Sequence, residues 1–181
     1  PHRRCRGGRR CQAIECHVES EITARRRRLM HFDGELVLAG TERRLQVLEA
    51  LVLRWNASVN LVSRGSLSQI TDRHVADSAQ LARFAPSNAR IWLDLGSGGG
   101  FPGLVVAAFL ADSLPDCRVS LVESDQRKCV FLREAAREMD LSVAVMAQRI
   151  ETLAPQNADI VSARALERVG PAMVEDIFAL A

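Results

Sequence analysis

The sequence predicts an α/β fold in which a parallel sheet has helices on both faces and a smaller helical region precedes it. Two observations predict this fold. From residue 90 onward, short apolar strands alternate with helical segments, and the first strand runs directly into the glycine-rich stretch GSGGGFPG. Such alternation gives parallel strands joined by right-handed crossovers. The composition, 48% hydrophobic and 25% charged over 181 residues, is that of an ordinary globular domain.

Residues 29–89 are predicted to form an N-terminal helical subdomain. Thr41 can cap a helix over TERRLQVLEALVLRWN, where apolar residues recur three and four positions apart. Ser66 can cap a short helix over LSQITDRH, and a further helix is expected before Pro86.

Residues 90–181 are predicted to form the sheet domain, in the order β-α-β-α-β-short α-β. The strands are RIWLDL, CRVSLVE, SVAVMA and ADIVSA, with helices over LVVAAFLA and QRKCVFLREAAREMD. Ser124 or Asp125 can cap the second of these helices. Residues 167–181 are expected to form one more helix. Because doubly wound sheets normally have further strands, we expect a truncated sheet that lacks its C-terminal strands.

Residues 1–28 are predicted to be a disordered Arg-rich extension, with Met30 as the natural start. They hold nine arginines and three glutamates and no apolar periodicity. An RNA-binding arm or an organellar targeting peptide remain as alternatives. Cys5, Cys11, Cys16 and His17 do not have a common paired-ligand spacing, so no metal is expected, and all cysteines are expected to be reduced.

The net charge of +2 conceals an uneven distribution. Residues 41–90 carry seven arginines against four acids, whereas residues 91–181 carry eight basic residues against thirteen acids. The basic segment is therefore the candidate for contact with RNA phosphates. Its arginines are Arg43, Arg44, Arg54, Arg64, Arg73, Arg83 and Arg90. With no apolar run long enough to span a bilayer and no signal peptide, a cytoplasmic protein is expected.

The stretch from Asp94 to Gly103 carries the strongest chemical signal, since its glycines allow the backbone to turn sharply beside a ligand. No lysine follows, which excludes a P-loop. Gly98, Gly100 and Gly103 formally match the dinucleotide fingerprint G-x-G-x-x-G. Counted from Gly96, however, the third position holds a phenylalanine. A nicotinamide-dependent oxidoreductase therefore remains an alternative.

Two carboxylates bear on the choice of ligand. Asp94, beside the loop, favours a ligand with an amino group and a sulfonium, which indicates S-adenosylmethionine. Glu123 ends the second strand, where it can accept hydrogen bonds from ribose hydroxyls in either ligand class. It indicates a nucleoside without deciding which one.

Several motifs in register resemble one family, the bacterial small-subunit rRNA guanine-N7 methyltransferases, also called glucose-inhibited division protein B. They are RWNASVNLVS, DRHVADSAQL, DLGSGGGFPGLVVA, LVESDQRKCVFLRE, QRIE and SARAL, and they cover about Leu45 to Leu166. The resemblance implies a Rossmann-like fold that transfers a methyl group from S-adenosylmethionine to N7 of a guanine in the 530 loop of 16S rRNA. The implied partner is 16S rRNA or the small ribosomal subunit, bound by a monomer.

The resemblance also implies site residues. Gly96 and Phe101 would line the methionine end of the cofactor, Glu123 with Ser124 would hold the ribose, Ile150 and Glu151 would meet the adenine, and Arg164 would lie at the mouth shared by cofactor and substrate. Asp94 and Gly98, taken from the loop itself, complete the predicted cofactor-binding set. The substrate set is Asn60, Arg73, His74 and Asp77, which would fold the helical subdomain over the mouth of the pocket and help accept the guanine. The simpler alternative is an Arg73–Asp77 ion pair and a structural His74.

The residues themselves bear on the reaction. Methyltransferases that act on exocyclic amines resemble one another in an Asn/Asp-Pro-Pro-aromatic loop after the fourth strand. Here the fourth strand ends in Ser162-Ala163-Arg164-Ala165 instead. Guanine N7 carries no proton, so no general base is expected, and catalysis would rest on alignment. Arg149 and Arg164 are the candidates for positioning the substrate, unless each pairs with a carboxylate such as Glu151 or Asp159. A catalytically dead RNA- or cofactor-binding fragment is the remaining alternative.

Overall fold

The computed structural model describes residues 31–32 and 35–164. The expectations for the Arg-rich extension, its cysteines with His17, and the helix over 167–181 lie outside these residues. The chain divides after Leu38 into two units. In the first, strands β1 (His31–Phe32) and β2 (Glu35–Leu36) pair antiparallel.

The second unit contains a four-stranded parallel sheet, which confirms the predicted fold class. Its strands are β3 (Ile91–Leu95), β4 (Arg118–Glu123), β5 (Val143–Ala147) and β6 (Ile160–Ala163). They lie in the order β5-β4-β3-β6. The chain adds two strands on one side of β3 and then returns to pair β6 on the other side. This reversal beside β3 is the topological switch point at which open α/β sheets bind ligands.

Among the described residues, four α-helices accompany the sheet: α1 (Ala39–Trp55), α2 (Ala76–Ala82), α3 (Gly103–Ser113) and α4 (Gln126–Glu138). Short 3-10 helices span Arg64–Gln69 and Ile150–Thr152, and a π-helical segment spans Ile70–Val75. Helices α1 and α2 both contact α3, and α1 also contacts α4, where Trp55 meets Phe131 edge-on. The helical segment therefore packs on the helices of the sheet. None of the described helices is long and apolar enough to cross a bilayer.

The helix starts of the N-terminal region differ from those predicted. Helix α1 begins at Ala39, so Thr41 lies inside it and is buried. Its hydroxyl donates one proton, shared between the carboxylate of Asp112 at 2.7 Å and the carbonyl of Ala108 at 3.2 Å, and thereby joins α1 to α3. Ser66 likewise lies inside a 3-10 helix and donates to the Ser63 carbonyl. The partners of Thr41 are thus distant in the sequence, whereas the partner of Ser66 is local, and neither residue is the predicted helix cap.

The sheet separates two apolar layers. Leu93, Leu95 and Val122 pack with Leu153 and Ala158 on one face. On the other face, Asp94 and Leu121 lie against the first turn of α3, where they would clash with any side chain in place of Gly103. Asp94 is thus a charged residue in the middle of a buried strand. Position 94 therefore carries a polar group that the fold has to satisfy.

Candidate active site

The predicted site residues converge because parallel strands end at one edge of the sheet. In the register, Leu95 pairs with Val122 and Ala163, while Glu123 pairs with Ala147. The segments that follow these strands therefore emerge side by side. They carry the glycine loop after β3, Ser124 after β4, Ile150 and Glu151 after β5, and Arg164 after β6.

The glycine loop requires its glycines. Gly96, Gly98 and Gly100 have φ values of 67°, 52° and 86°, in the left-handed region that other residues rarely adopt. The Ser97 amide donates to the Val122 carbonyl, which holds the loop against β4. Among the loop residues Gly96 and Gly98 are part-exposed, whereas Phe101 is buried. The backbone is therefore held in a fixed turn, and solvent reaches it at Gly96 and Gly98.

A buried hydrogen-bond chain supports this loop from below. The Trp92 indole donates to the Ser162 hydroxyl at 2.8 Å, and that hydroxyl donates to Asp94 Oδ1 at 2.7 Å. The other oxygen of Asp94 accepts the Gly103 amide at 3.2 Å. Burial raises the pKa of Asp94 to about 6, although these hydrogen bonds oppose the shift. Asp94 is fully buried, so it does not present the open carboxylate that its position in the sequence suggested.

Glu123 joins the glycine loop to the second strand. Its carboxylate accepts the amide of Gly98 at 2.9 Å and the amide of Asp125 at 2.8 Å, one on each oxygen. Asp125 in turn caps α4 by accepting the amides of Arg127 and Lys128, as the sequence allowed. Each carboxylate oxygen has two acceptor positions, so each can take one further donor. Glu123 therefore fits hydroxyl groups of a nucleoside at this edge.

The N-terminal helical segment reaches the loop through its own turn. The side-chain oxygen of Asn56 accepts the amides of Leu61 and Val62, both at 2.9 Å, and so shapes the chain after α1. A Cβ on Gly99 would lie 3.1 Å from the Leu61 carbonyl oxygen. The turn after α1 therefore packs directly on the glycine loop.

His74 and Arg164 meet over Phe101 of the glycine loop, and this pair is called the mouth of the site. Arg164 Nη2 lies 2.6 Å from His74 Nδ1, and its guanidinium carbon lies 5.6 Å from the centroid of the Phe101 ring. The His74 ring stacks on the same phenylalanine at 5.2 Å. Burial first, and then the Arg164 charge, lower the pKa of His74 below its ordinary 6.5. Burial also lowers the pKa of Arg164. Both residues were predicted, but their direct contact was not.

The remaining predicted residues lie further apart. Asn60, Arg73 and Asp77 are exposed, and no ion pair links the described side chains of Arg73 and Asp77. Arg73 lies in the π-helical segment and Asp77 in the α-helix that follows it, so the two do not share the single α-helical face that the sequence predicted.

Arg149 lies 3.2 Å from Glu151, and both side chains are largely exposed. The ion pair considered for Arg149 is thus present. Arg164 instead contacts His74 and the ring of Phe101. Ile150 packs against the apolar layer of the sheet, and Ser124 is exposed. Within the part of the chain described, no group of three or more potential ligands could hold a metal ion.

Two structural residues escaped prediction. Ser162 links Trp92 to Asp94, and Asn56 orders the turn that meets Gly99. A signal was present for Ser162, because a serine inside the apolar strand IVSA needs a hydrogen-bond partner. Asn56 gave a weaker signal as an amide directly after a helix end.

Comparison with known proteins decides the family. The model of the rRNA small subunit methyltransferase G family, GidB, matches residues 41–174, a span that contains every predicted site residue. The chain belongs to the rRNA small subunit methyltransferase G family.

Relatives named ribosomal RNA small subunit methyltransferase G include one from Cereibacter sphaeroides (strain ATCC 17029 / ATH 2.4.9). It is 55% identical over 78% of this chain and 66% of its own length. Another, from Jannaschia sp. (strain CCS1), is 51% identical over 75% of this chain and 64% of its own length. The chain thus spans slightly less than two thirds of these relatives. The family match confirms the resemblance drawn from the sequence motifs.

Solved structures support the fold of this family member. An O-methyltransferase from Bacillus cereus in complex with SAH superposes with a TM-score of 0.54 at 23% identity, over 75% of this chain and 61% of that chain. Coclaurine N-methyltransferase superposes with a TM-score of 0.50 at 16% identity, over 90% of this chain and 56% of that one. The chain therefore has the Rossmann-like methyltransferase fold that the sequence predicted.

Proposed function

We propose that this protein is an S-adenosylmethionine-dependent methyltransferase that methylates N7 of a guanine in the 530 loop of 16S rRNA. The observation that carries the proposal is the buried Glu123 carboxylate, tied to the amide of Gly98 at the carboxyl edge of the sheet. A fixed acceptor next to a glycine turn suits a nucleoside cofactor. Membership of the rRNA small subunit methyltransferase G family supports the substrate.

The residues present fit this cofactor. Glu123 would accept the ribose hydroxyls, with Ser124 beside it, and Ile150 with Glu151 would meet the adenine. Gly96, Gly98 and Phe101 would line the methionine end. Asp94 acts through the loop, because its buried charge lies beneath the backbone and does not face solvent. S-adenosylmethionine, when bound, supplies an electrophilic methyl group on a sulfonium.

The chain needs to do little chemistry on the guanine. N7 has a free lone pair and carries no proton, so no side chain has to act as a base. Alignment of the nucleophile is worth roughly 7 to 11 kcal/mol in favourable systems. Arg164 would donate to O6 of the guanine, which leaves N7 free for the methyl group. Asn60, Arg73 and Asp77, exposed on the helical segment, would contact the surrounding rRNA.

The test is transfer of tritiated methyl groups from S-adenosylmethionine to small ribosomal subunits that lack the modification, followed by mapping of 7-methylguanine. Label at one guanine of the 530 loop is expected. Label at another base, or on protein, would contradict the substrate assignment.

The cofactor assignment has its own test by calorimetric titration with S-adenosylmethionine and with NADH. Binding of S-adenosylmethionine alone is expected. Glu123→Gln should weaken it by about tenfold or more, because a carboxylate acceptor is lost. Glu134→Gln is the matched control, since Glu134 pairs with Arg137 on the surface of α4. Equal affinities for the two variants would contradict the role of Glu123.

A further inference from the structure

We infer that His74 is a positioning residue that holds the Arg164 guanidinium over Phe101, in the orientation from which Arg164 contacts the substrate guanine. The inference rests on the proposed function and adds to it a specific hydrogen bond, between Arg164 Nη2 and His74 Nδ1 at 2.6 Å. The two residues are 90 positions apart in the chain.

The direction of this hydrogen bond fixes the state of the imidazole. A guanidinium has only donors, so Nδ1 has to accept and cannot carry a proton. A neutral His74 then carries its proton on Nε2. That nitrogen is buried and has no hydrogen-bond partner among the described residues. The ring therefore keeps one buried donor available to an acceptor oxygen of a bound molecule.

The surroundings favour the neutral ring. Arg164 at the end of β6 and Arg73 on the π-helical segment both disfavour a charge on His74, and Asp77 on α2 favours one. Burial adds to the effect of the two arginines and lowers the pKa of His74. Below that pKa, Nδ1 gains a proton and two donors face each other. The hydrogen bond from Arg164 to His74 is then lost.

Phe101 provides the third contact of this arrangement. Both the imidazole and the guanidinium lie on its ring, at 5.2 Å and 5.6 Å. Phe101 belongs to the glycine loop, so the histidine, the arginine and the loop form one unit. The orientation of Arg164 is therefore coupled to the loop proposed to hold the cofactor.

Two substitutions distinguish the contribution of the Nδ1 hydrogen-bond acceptor of His74 from that of its ring. His74→Phe keeps a ring on Phe101 and removes the acceptor, whereas His74→Asn keeps an acceptor near the position of Nδ1 and cannot titrate. At pH 8, His74→Phe should lower kcat by about tenfold or more, the effect of one hydrogen bond to a charged group. S-adenosylmethionine affinity should change by less than about twofold. His74→Asn should be the more active of the two.

The pH profile distinguishes positioning from mere packing. In the parent protein, kcat should fall as the pH drops through a value below 6.5, because His74 becomes protonated. In His74→Asn this acid limb should disappear. Asp94, with a pKa of about 6, is the other buried group that would give an acid limb. A limb that persists unchanged in His74→Asn would belong to Asp94 and not to His74, and it would therefore overturn the inference.

A measurement independent of methyl transfer tests the pair directly. In the full chain with ¹⁵N-labelled histidine, the imidazole signals that His74→Asn removes should show an unprotonated Nδ1 and a protonated Nε2 at pH 7.5. Arg164→Gln should raise the pKa of His74. A protonated Nδ1, or a titration unaffected by Arg164→Gln, would overturn the inference even in an active enzyme. The expected spectra without any methylation would instead count against the proposed function alone.

Discussion

At the floor of the candidate site the polar groups of Asp94, Ser162 and Glu123 are all hydrogen-bonded within the fold, whereas at the mouth His74 keeps a buried nitrogen without a described partner. Asn60, Arg73 and Asp77, the other predicted substrate residues, are exposed. The floor is thus preorganised by folding, and its groups contribute to stability as well as to the site. Changes at the mouth should affect substrate transfer while leaving stability nearly unchanged.

The largest effect is expected from Asp94→Asn. Burial raises the folded-state pKa of Asp94 from 3.8 to about 6, so the stability that this group contributes below pH 4 is lost as the pH rises through 6. The loss amounts to about 3 kcal/mol at 1.36 kcal/mol per pKa unit. An asparagine does not titrate. The unfolding free energy of the parent relative to Asp94→Asn should therefore fall by about this amount between pH 4 and pH 8.

Urea unfolding of both proteins at several pH values measures this difference, in which the other titrating groups cancel. Ser162→Ala is the companion variant, because it removes a hydrogen bond that lowers the pKa of Asp94. In Ser162→Ala, the loss of stability that accompanies deprotonation of Asp94 should therefore occur at a higher pH. A difference that stays constant with pH would show that Asp94 is not the buried, proton-binding group at the floor.

A smaller loss of stability is expected when an added side chain overpacks the floor of the site. In Gly103→Ala the new Cβ would lie 2.4 Å from Leu121 Cδ2 and 2.5 Å from Asp94 Oδ2, both in the buried layer beneath α3. Overpacking of this kind costs about 2 kcal/mol. S-adenosylmethionine affinity should fall as well, since the Gly103 amide holds Asp94. Thermal unfolding and calorimetric titration measure the two effects.

Gly65→Ala is the matched control for that substitution. A Cβ at Gly65 meets nothing within 4 Å, so neither stability nor cofactor affinity should fall. If the two alanine variants behaved alike, the close packing at the start of α3 would not be what shapes the loop.

The turn after α1 allows a hydrogen-bonded structural residue and an exposed predicted substrate residue to be compared within one motif, RWNASVN. Asn56→Ala removes the acceptor of two backbone amides and should destabilise the protein by about 1 to 2 kcal/mol. Asn60→Ala, at an exposed position, should leave the unfolding free energy unchanged and lower methyl transfer. Chemical unfolding and the methylation assay separate these outcomes. Equal destabilisation by both changes would remove the distinction.

The smallest effects are expected on the arginines. Arg43 and Arg54 are exposed on α1, whereas Arg44 pairs with Asp112 at 2.9 Å and joins α1 to α3. Arg43→Gln or Arg54→Gln should reduce the salt dependence of rRNA binding by about 0.7 to 0.9 per lost phosphate contact. Arg44→Gln should instead lower stability and leave that slope unchanged. Binding measured over a series of salt concentrations tests the difference.

The sequence predicted the sheet well because its signals are local. Alternating apolar strands, the glycines after β3 and the acidic cap of α4 each depend on neighbouring residues. The same is true of Glu123, whose place at the end of β4 follows from the strand boundary. The predictions of Thr41 and Ser66 as caps were wrong, because both residues lie inside their helices; the Thr41 hydroxyl bonds to the distant residues Ala108 and Asp112, and the Ser66 hydroxyl bonds to Ser63, three residues earlier.

What the sequence by itself determined is the order of strands and helices, the glycine turn at the carboxyl edge and, through its motifs, the family. The tertiary structure alone decided which distant side chains meet: Ser162 with Asp94, 68 positions apart, and Arg164 with His74, 90 positions apart. The physical reason is that strand and helix patterns arise from neighbouring residues, whereas such pairs exist only after crossovers and packing bring separate segments to one edge of the sheet.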